Sequence, residues 1–586
     1  MDKKLLMGNE AIALGALRAG VDVVTGYPGT PSSEILDTVA KNNDGSVYVE
    51  WSVNEKAALE VAAGAAYAGA RTMVTMKQVG LNVASDPLMS LNYIGVKGGM
   101  VVVVADDPGP ISSQTEQDTR HFAKYAKLAL FDPSTPEEAY IMVADAFEHS
   151  EKYGAPVLLR PTTRVCHSRA SVEILDDLPR KQPKGFEKSD RWVIFPKLSY
   201  GNHIKIEENL LKMSDDFDGY GKNILLQFRP GEEDVSFGRK GVGCSNELPK
   251  AGKKGIAAGG VSYAYVREAL SEIGTDVECK LLKVSTIPFP DKIALEFLEG
   301  RDEVLVVEEL DPVIEDELVR LCGLYRLDVD ILGKRTGHIQ NAGENTPDSV
   351  RAAISAFLGA DVQPARGAPR ASRPTPTFPN SQLSSLNSPL GSSAPVRAPT
   401  LCVGCPHRAS FSAVKIASKD VPAVYTGDIG CYTLGNTLGM VDTCLCMGAG
   451  ITVAQGLHRI EPDTVHFAFI GDSTFFHSGI TGIVNAVYNQ TDIIVVILDN
   501  STTAMTGGQP HPGTGLTMMG GKSEKIDIGK VVSSLNVAAL YRADPYDPKA
   551  ARQAVRDAMA QKGVRVILFE SPCIMVARQS RAGSRE

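Results

Sequence analysis

Short apolar runs alternate with longer, helix-like segments over roughly the first 180 residues. Four runs of buried-strand length are apolar almost throughout: residues 21–25, 71–76, 100–104 and 156–160. Between the first two runs lies a helical segment, residues 55–66, that is rich in alanine and glycine. Its small side chains favour close packing on a sheet or on a second domain. Strands separated by helices predict a parallel sheet.

The same alternation predicts two further α/β units. Residues 256–262 have the pattern of a strand that turns into a helix, and residues 304–309 that of another strand. A Pro-, Ser-, Ala- and Arg-rich stretch without apolar periodicity predicts an extended or mobile linker. The prediction is an α/β protein with three doubly wound or open parallel sheets, in five segments: domain 1–185, connecting segment 186–250, domain 251–360, linker 361–400 and domain 401–580.

Composition narrows the class of protein. With 586 residues, 43% hydrophobic and 22% charged, the chain has the make-up of a soluble globular protein of several domains. A net charge of −9 disfavours nucleic-acid binding, which requires a basic surface. No apolar run reaches the length of a membrane span, and the N-terminus lacks the apolar core of a signal peptide. We therefore expect a cytoplasmic protein.

One pair of residues carries the most information about chemistry. Gly471-Asp472-Ser473 ends one apolar run, and Asn500 follows the next run 28 positions after Asp472. This spacing fits strand, loop, crossover helix (479–488) and strand, which places both side chains at the carboxyl edge of a sheet, where ligands bind. A carboxylate, an amide and main-chain oxygens suit a hard divalent cation that holds a diphosphate.

The pair resembles the thiamine diphosphate motif, Gly-Asp-Gly followed about thirty residues later by Asn-Asn, with Ser473 and Asp499 as departures. The loop at 501–509 is rich in hydroxyls and glycines and offers further carbonyls and amides. The alternative is that both residues merely cap the helices that follow them.

Glu55 is the candidate for the second half of such a site. Thiamine chemistry needs a buried carboxylate beside the aminopyrimidine ring, supplied by a different domain from the diphosphate site. Glu55 begins the small-residue helix of the first unit. The alternative is an ordinary first-turn acid that the helix dipole favours.

The ten cysteines are unevenly distributed, with six in the last third of the chain. Four of these are dispersed in a way that fits one iron–sulfur cluster better than zinc or a redox dithiol: Cys402, Cys405, Cys431 and Cys573. Cys444 and Cys446 are expected to be buried thiols that pack under a cofactor. Buried thiols are also expected at the scattered positions Cys166, Cys244, Cys279 and Cys322.

Four more side chains are candidates for contact with substrate. His407 and Arg408 follow the cysteine pair and could bind a carboxylate or an oxyanion, or simply begin a helix. Arg120 is a second candidate for a carboxylate clamp. Thr30 lies in a strand-end turn, where it could hydrogen-bond substrate or cap a helix.

Taken together, the motifs at residues 26–31, 401–408, 427–432 and 471–513 resemble the large (alpha) subunits of the indolepyruvate ferredoxin oxidoreductases, in the 2-oxoacid ferredoxin oxidoreductase family. The resemblance runs from the first residues to about 578. It implies a pyrimidine-binding domain, a transketolase-C-like domain and a diphosphate-binding domain, in that order.

The resemblance also assigns roles to residues. Glu55 becomes the aminopyrimidine acid, and Asp472, Asn500 and the main-chain oxygen of Thr502 become magnesium ligands. The cofactor-binding set is Gly430, Gly471, Asp472, Ser473, Asn500 and Thr502, and the catalytic set is Thr30, Glu55, Arg120 and His407. The four dispersed cysteines match positions that hold a 4Fe-4S cluster near the thiamine in related oxidoreductases.

The implied reaction is oxidative decarboxylation of an arylpyruvate such as indolepyruvate, with acyl transfer to coenzyme A and electrons passed to ferredoxin or a similar carrier. The implied partner is the small (beta) subunit of a hetero-oligomer.

Family members usually end in a ferredoxin-like domain with C-x2-C-x2-C-x3-C-P runs, and none follows Cys573. Either the chain is truncated or electrons leave through a partner. Two alternatives are a non-oxidative thiamine-dependent decarboxylase and a non-catalytic, zinc-binding scaffold subunit.

Overall fold

The computed structural model describes residues 3–228, 235–236, 253–273, 279–359 and 400–577. These residues form an α/β fold with three large sheets, which confirms the predicted fold class. Most strand pairs are parallel, as the alternation of strands and helices predicts. Residues 361–399 of the predicted linker, and Cys244, lie outside the described residues.

The first unit is a sheet whose buried strands correspond to the apolar runs of the sequence. The run at 71–76 becomes a strand at Thr72–Lys77, and the run at 100–104 a strand at Met100–Ala105. The elements of this unit, in chain order, are β1 Lys3–Met7, α1 Gly8–Arg18, β2 Val23–Gly26, α2 Ser33–Asn42, β3 Tyr48–Trp51, α3 Glu55–Tyr67, β4 Thr72–Lys77, α4 Gln78–Ile94, β5 Met100–Ala105, α5 Arg120–Ala126, β6 Ala129–Phe131, α6 Pro136–Tyr153, β7 Val157–Leu159, α7 Thr163–His167 and β8 Arg169–Glu173.

The middle unit begins earlier in the chain than the sequence suggested. Its elements are α8 Pro196–Asp218, β9 Ile224–Phe228, β10 Val235–Ser236, β11 Lys254–Gly259, α9 Val261–Ile273, β12 Cys279–Val284, β13 Thr286–Ile287, α10 Asp291–Leu298, β14 Glu303–Val307, α11 Val313–Tyr325, β15 Asp330–Leu332 and α12 Pro347–Leu358. The sheet order is β10-β9-β12-β11-β14-β15, and β9 runs antiparallel to β12. This sheet is therefore mixed.

Much of the predicted connecting segment, residues 186–250, is therefore regular structure. Helix α8 covers 23 residues, yet its fully buried side chains are only Ile206, Met213 and Phe217. These lie seven and four positions apart, so they form one narrow stripe on a polar helix. So few apolar positions give a weak periodic signal, which explains why the sequence pattern suggested a loop.

The third unit is a five-stranded, fully parallel sheet in the order β16-β17-β18-β20-β19. Its elements are α13 Pro406–Ala417, β16 Ala423–Thr426, α14 Ala449–Ile460, β17 Val465–Gly471, α15 Asp472–Thr474, α16 Ile480–Tyr488, β18 Ile493–Asp499, α17 Ile528–Ser534, β19 Ala539–Ala543, α18 Pro548–Met559 and β20 Val564–Glu570. The predicted strand, crossover helix and strand are present, but the predicted loop is not: helical residues begin at Asp472, directly after β17, and continue to Tyr488.

The first and third units meet where α3 crosses α14. A Cβ atom on Gly64 of α3 would lie 2.2 Å from the carbonyl oxygen of Val453, and one on Gly456 of α14 would lie 1.9 Å from the carbonyl oxygen of Val61. The contact is reciprocal: each glycine faces the carbonyl three residues before the other glycine. Only glycine at both positions allows the two backbones to approach this closely.

The first and middle units share a sheet. Strand β13 of the middle unit pairs antiparallel with β6, with Thr286 opposite Phe131. The seven-stranded order is therefore β13-β6-β7-β5-β4-β2-β3. Within the described parts of the chain, no helix is both long and apolar enough to cross a membrane.

The glycine contact gives a prediction about stability. Gly456→Ala places a methyl group against the Val61 carbonyl, and we expect overpacking to lower stability by about 1–3 kcal/mol. The matched control is Gly323→Ala in α11, where no atom lies within 4 Å of the added Cβ. There, removing a helical glycine should raise stability by about 0.5–1 kcal/mol. Differential scanning calorimetry measures both; equal midpoints for the two variants would contradict the proposed packing constraint.

Candidate active site

Strands β17 and β18 bring Asp472 and Asn500 together at their carboxyl ends. The strands are parallel neighbours, with Gly471 opposite Leu498. The main-chain amide of Asn500 donates to Asp472 Oδ2 at 3.1 Å. Both residues are buried.

Asp472 is surrounded by hydrogen-bond donors. His511 Nε2 donates to Oδ2 at 3.1 Å, because His511 Nδ1 already accepts the amide of Gly513 at 3.1 Å. The Ser473 amide and the Tyr432 hydroxyl donate to Oδ1 at 2.8 and 3.4 Å. Burial opposes ionisation, but the hydrogen bonds from His511 and from the Ser473 amide outweigh it, and the pKa of Asp472 is lowered. The carboxylate is therefore held ionised, as a metal ligand must be.

The pKa of the neighbouring carboxyl, that of Asp499, is shifted in the opposite direction. Burial raises the pKa of Asp499 to about 6, and the negative charge of Asp472 adds to the effect. Asp499 also accepts hydrogen bonds from the amide and hydroxyl of Ser501, at 2.9 and 3.3 Å. Of the two neighbouring aspartates, Asp472 thus has the lowered pKa and Asp499 the raised one.

Asn500 and Thr502 supply oxygens beside Asp472. Asn500 Oδ1 accepts only the Thr502 amide, at 3.2 Å. The carbonyl oxygen of Thr502, a residue only 4% exposed, accepts no hydrogen bond from any described residue. Buried carbonyls are almost always paired, so this oxygen is available to a ligand.

Ser473 lies beside Asp472, Asn500 and Thr502 but is less buried than these residues. Its hydroxyl accepts a hydrogen bond from the Thr503 hydroxyl at 3.0 Å, and the residue is half-buried. The contact links the end of β17 to the loop that follows β18.

Asp428, at the end of β16, organises the loops around the pair. It is fully buried and accepts the amides of Ile429 and Gly448, at 2.8 and 2.9 Å, and of Gly471 at 3.3 Å. Burial raises its pKa to about 6. One carboxyl thus ties β16 to the start of α14 and to the end of β17.

Two glycines keep space open for Tyr432. A Cβ on Gly471 would lie 2.0 Å from the Tyr432 hydroxyl oxygen. Gly430 has φ +130°, a conformation that other residues rarely adopt, and its Cβ would meet the ring at 3.3 Å. Both predicted cofactor-binding glycines therefore border one aromatic ring beside Asp472.

His407 is buried against Asn500. The Asn500 side-chain amide donates to His407 Nε2 at 3.0 Å, and the His407 and Tyr432 ring centroids are 4.9 Å apart. Burial lowers the pKa of His407 to about 4, so the ring is neutral. Arg408 lies elsewhere: its Nε donates to the Cys402 carbonyl at 3.1 Å and holds the cysteine loop.

Glu55 is the first residue of α3, where the Asn54 side chain caps the helix by accepting the Ala57 amide. Glu55 is 9% exposed, and its carboxylate accepts no hydrogen bond from any described residue. A Cβ on Gly80 would lie 2.5 Å from Glu55 Oε1. The Glu55 carboxylate, next to Gly80, is therefore available to a polar partner from outside the chain.

The third unit holds the loop that precedes Glu55. Asn485 of α16 is fully buried; its Oδ1 accepts the Val53 amide at 2.9 Å, and its Nδ2 donates to Glu50 at 3.2 Å and to Gln455 at 2.8 Å. Together with the α3–α14 contact, these bonds fix Glu55 relative to the unit that carries Asp472.

The four predicted cluster cysteines come from three segments of the third unit. Cys402 and Cys405 precede α13, Cys431 follows β16, and Cys573 follows β20, where its amide donates to the Asn500 carbonyl at 2.9 Å. Burial raises the pKa of the Cys431 thiol to about 11, and the nearness of Cys405, Cys573 and Cys402 adds to this effect. The four sulfurs therefore lie close enough to interact.

The four sulfurs do not form a compact ligand group. Among the described residues, the only group of three or more metal-ligating atoms within 4.8 Å of one another is Asp118, His121 and Asp311, so no three of the cysteine sulfurs are that close.

The remaining described cysteines divide as follows. Cys166, Cys279 and Cys444 are buried, and Cys322 is half-buried. Cys446 is also buried, but it contacts Lys56 and Glu60.

Arg120 does not face the site. Its guanidinium donates to Asp118 at 2.6–3.2 Å, to Glu308 at 2.7 Å, and to the Glu309 and Asp311 carbonyls at 2.8 and 3.0 Å. All three of its guanidinium nitrogens donate, and the bonds to Glu308, Glu309 and Asp311 join the first unit to the middle one. The geometry gives Arg120 a structural role in place of the predicted carboxylate clamp.

Thr30 has an exposed side chain at the turn after β2, and its carbonyl accepts a hydrogen bond from Ser112 at 3.2 Å. Its hydroxyl is free to meet a ligand. His511 and Asp428, by contrast, belong to the site but were not singled out from the sequence. Asp428 lies inside a recognised motif, whereas no spacing pattern marks His511.

Family models match both halves of this site. The model for pyruvate flavodoxin/ferredoxin oxidoreductase, thiamine diP-bdg, matches residues 14–200, which include Glu55. The model for the thiamine pyrophosphate enzyme, C-terminal TPP binding domain, matches residues 428–569, which include Asp472 and Asn500. Fold, site and matches define a thiamine diphosphate-dependent 2-oxoacid oxidoreductase.

Curated relatives narrow the assignment. Indolepyruvate oxidoreductase subunit IorA from Methanothermobacter thermautotrophicus is 40% identical over 98% of this chain and 87% of its own. The subunits of that name from Pyrococcus abyssi and Archaeoglobus fulgidus are 39% and 38% identical over the whole chain and 88% of theirs. The chain belongs to this IorA family.

Solved structures are more distant. A 2-oxoglutarate:ferredoxin oxidoreductase from Magnetococcus marinus is 18% identical and aligns with 61% of this chain and 65% of its own at a TM-score of 0.46. Membership of the IorA family therefore rests on the sequence relatives alone.

The buried His407 predicts a pH dependence of stability. Its pKa is about 4 in the folded chain and about 6.5 when unfolded, so below pH 6.5 the unfolded state binds a proton that the folded state does not. Stability therefore falls as the pH drops from 6.5 towards 4, by up to about 3 kcal/mol from this group. His407→Gln should lose less stability over this range. Urea unfolding from pH 7 to 4.5 measures it, and parallel curves for the two proteins would rule the effect out.

Proposed function

We propose that this chain catalyses the thiamine diphosphate-dependent oxidative decarboxylation of arylpyruvates, indolepyruvate in particular, to aryl-acetyl-CoA. Electrons would leave through a 4Fe-4S cluster to ferredoxin or a similar carrier. The observation that carries the proposal is the unpaired carboxylate of Glu55, which a contact between two units fixes relative to Asp472, Asn500 and four interacting cysteines. The relatives' name supports indolepyruvate as the substrate.

The residues present fit the cofactor and its metal. Asp472, the Asn500 side chain and the Thr502 carbonyl form an all-oxygen donor set suited to Mg²⁺. Amides and hydroxyls of the adjoining loop, including that of Ser473, would hold the diphosphate, and Gly430 and Gly471 leave room for it. When bound, thiamine diphosphate supplies the electron sink for loss of carbon dioxide.

Glu55 would hold a proton at the aminopyrimidine end of the cofactor. Its burial and its lack of a partner among the described residues mean that a ring nitrogen would be its main hydrogen-bond partner. Asn485 keeps the preceding loop in place, so the carboxylate is positioned before the cofactor arrives. His407, neutral and bound to Asn500, would orient the amide at the metal.

The substrate would enter from the side of the first unit. The exposed hydroxyl of Thr30 is the group best placed to hydrogen-bond the oxoacid, since Arg120 is fully engaged elsewhere. Coenzyme A and the small (beta) subunit would complete the reaction in a hetero-oligomer. The word subunit in the relatives' names supports such a partner.

The four cysteines distinguish this proposal from its alternatives. A non-oxidative decarboxylase needs no cluster, and a structural zinc site usually takes its ligands from two closely spaced pairs, whereas the chain has a single C-x2-C pair, Cys402 and Cys405. Cys402 is exposed while Cys573 contacts the Asn500 main chain. A cluster held by these residues would thus reach from the cofactor site to the surface, where a carrier protein can accept electrons.

Replacing the Glu55 carboxylate tests the cofactor half of the site. Glu55→Gln keeps the size of the side chain but removes the base, so turnover should fall about 10²–10⁴-fold while thiamine diphosphate still binds. The assay is anaerobic, with indolepyruvate, coenzyme A, an artificial electron acceptor and the small subunit; calorimetry measures cofactor binding. Glu137→Gln, a first-turn acid of α6, is the matched control. Full activity of Glu55→Gln would refute the assignment.

Removing one cysteine tests the cluster. Anaerobically prepared protein should be brown and contain about four iron atoms per chain, and Cys573→Ser should lose most of this iron. Cys322→Ser, in α11 of the middle unit, should retain it. Elemental analysis and electron paramagnetic resonance measure the outcome. Stoichiometric zinc in place of iron would support the scaffold alternative instead.

A further inference from the structure

Cys446 lies in a polar cluster between the first and third units that the proposed reaction does not use. Its Sγ accepts a hydrogen bond from Lys56 Nζ at 3.1 Å and donates to Glu60 Oε1 at 3.2 Å. Lys56 Nζ also lies 2.9 Å from Glu60 Oε1. A thiol, an amine and a carboxylate therefore touch one another pairwise.

The cluster is held rigidly from both sides. Lys56 and Glu60 are one turn apart on α3, whereas Cys446 belongs to the loop just before α14. The Thr452 hydroxyl of α14 donates to Glu60 Oε2 at 2.6 Å. The α3–α14 backbone contact fixes the distance between these groups, so the sulfur and the nitrogen cannot easily move apart.

The Cys446 thiol, the Lys56 amine and the Glu60 carboxylate have complementary acid–base roles. Burial raises the pKa of the Cys446 thiol well above its usual value, so the sulfur carries its proton. That proton points at Glu60, which can accept it when the sulfur reacts. Burial opposes the charge on Lys56, but Glu60 outweighs it and the pKa of Lys56 is raised. Lys56 therefore begins as an ammonium that can protonate a leaving group.

We propose that Cys446 and Lys56 form an oxidation-sensitive cross-linking site, at which hydrogen peroxide joins Cys446 Sγ to Lys56 Nζ through a reversible S–N bond. The link would connect the first unit to the third, at the residue next to Glu55. Neither residue has another role in the proposed reaction.

The chemistry balances in two steps. The sulfur attacks one peroxide oxygen and the O–O bond breaks; Glu60 takes the thiol proton, and Lys56 protonates the departing hydroxide to give water and a sulfenic acid. The neutral amine then attacks the sulfenic sulfur, and hydroxide leaves as a second water with the proton from Glu60. Sulfur is oxidised by two electrons and the peroxide is reduced by two. Sulfenic acids are known to condense with nitrogen in this way.

A small oxidant can reach the pair from the side of α4. Lys56 Nζ also bonds Asp86 Oδ2 at 2.9 Å, and the Asp86 side chain is 53% exposed. The Lys56 side chain is 14% exposed, and Cys446 lies directly behind it. Access through one part-exposed side chain makes the reaction slow compared with that of the exposed Cys402.

Peptide mapping of the full chain after graded peroxide treatment tests the proposal. The expected product is a linked peptide pair, lighter by two hydrogen atoms than the sum of its parts, in which trypsin no longer cleaves after Lys56. Dithiothreitol should restore both peptides. Because the link spans two units, the oxidised protein should also have a higher thermal midpoint than the reduced one.

Four variants make the result specific. Lys56→Arg keeps the charge but lacks the primary amine, and Cys446→Ser lacks the sulfur, so neither should form the link. Cys444→Ser is the matched control, since Cys444 is equally buried but its sulfur contacts the Thr433 hydroxyl at 3.7 Å and no amine; it should cross-link as the unmodified chain does. Glu60→Gln should slow the reaction about tenfold or more.

The proposal is overturned if peroxide oxidises Cys402 fully and leaves Lys56 and Cys446 unlinked. It is also overturned if the Lys56 peptide becomes linked in Cys446→Ser. Should Cys446→Ser fail to fold, Lys56→Arg alone decides the question, because it retains the thiol and the ion pair with Glu60.

Discussion

The reciprocal glycine contact between α3 and α14 is the constraint on which the rest of the site depends. Gly64 and Gly456 let two helix backbones touch, each against a carbonyl of the other helix. Glu55 is the first residue of α3. Asp428 accepts the amide of Gly448, the residue immediately before α14. The two halves of the candidate site therefore face each other because the backbones of α3 and α14 are in contact. Packing of larger side chains would hold the two helices further apart.

Around that contact, buried charges are matched by donors with few exceptions, and the exceptions are informative. Asp428 and Asp472 are each satisfied by several amides or by His511. The Glu55 carboxylate and the Thr502 carbonyl are not satisfied by any described residue. These oxygens are therefore available to a partner from outside the chain.

The sequence predicted much of this arrangement because its strongest signals are local. Buried strands appear as apolar runs, and the adjacency of Asp472 and Asn500 follows from parallel strands ending at one edge. Where partners are distant in sequence, prediction fails: Arg120 is bound by Glu308, far along the chain, and nothing near Arg120 indicates that. Likewise α8 has only a narrow apolar stripe, and His511 lies in an irregular loop with no period to reveal it.

The dispersal of the cysteines has a consequence for the biogenesis of the protein. The thiols come from the segments before α13, after β16 and after β20, and β20 is the last strand of the third unit. During synthesis, the fourth thiol therefore emerges only after all five strands of the third sheet have been made. The proposed cluster could not be held by all four thiols before that point, so its insertion would follow the synthesis of the third unit and would depend on the cell keeping the first three thiols reduced in the meantime.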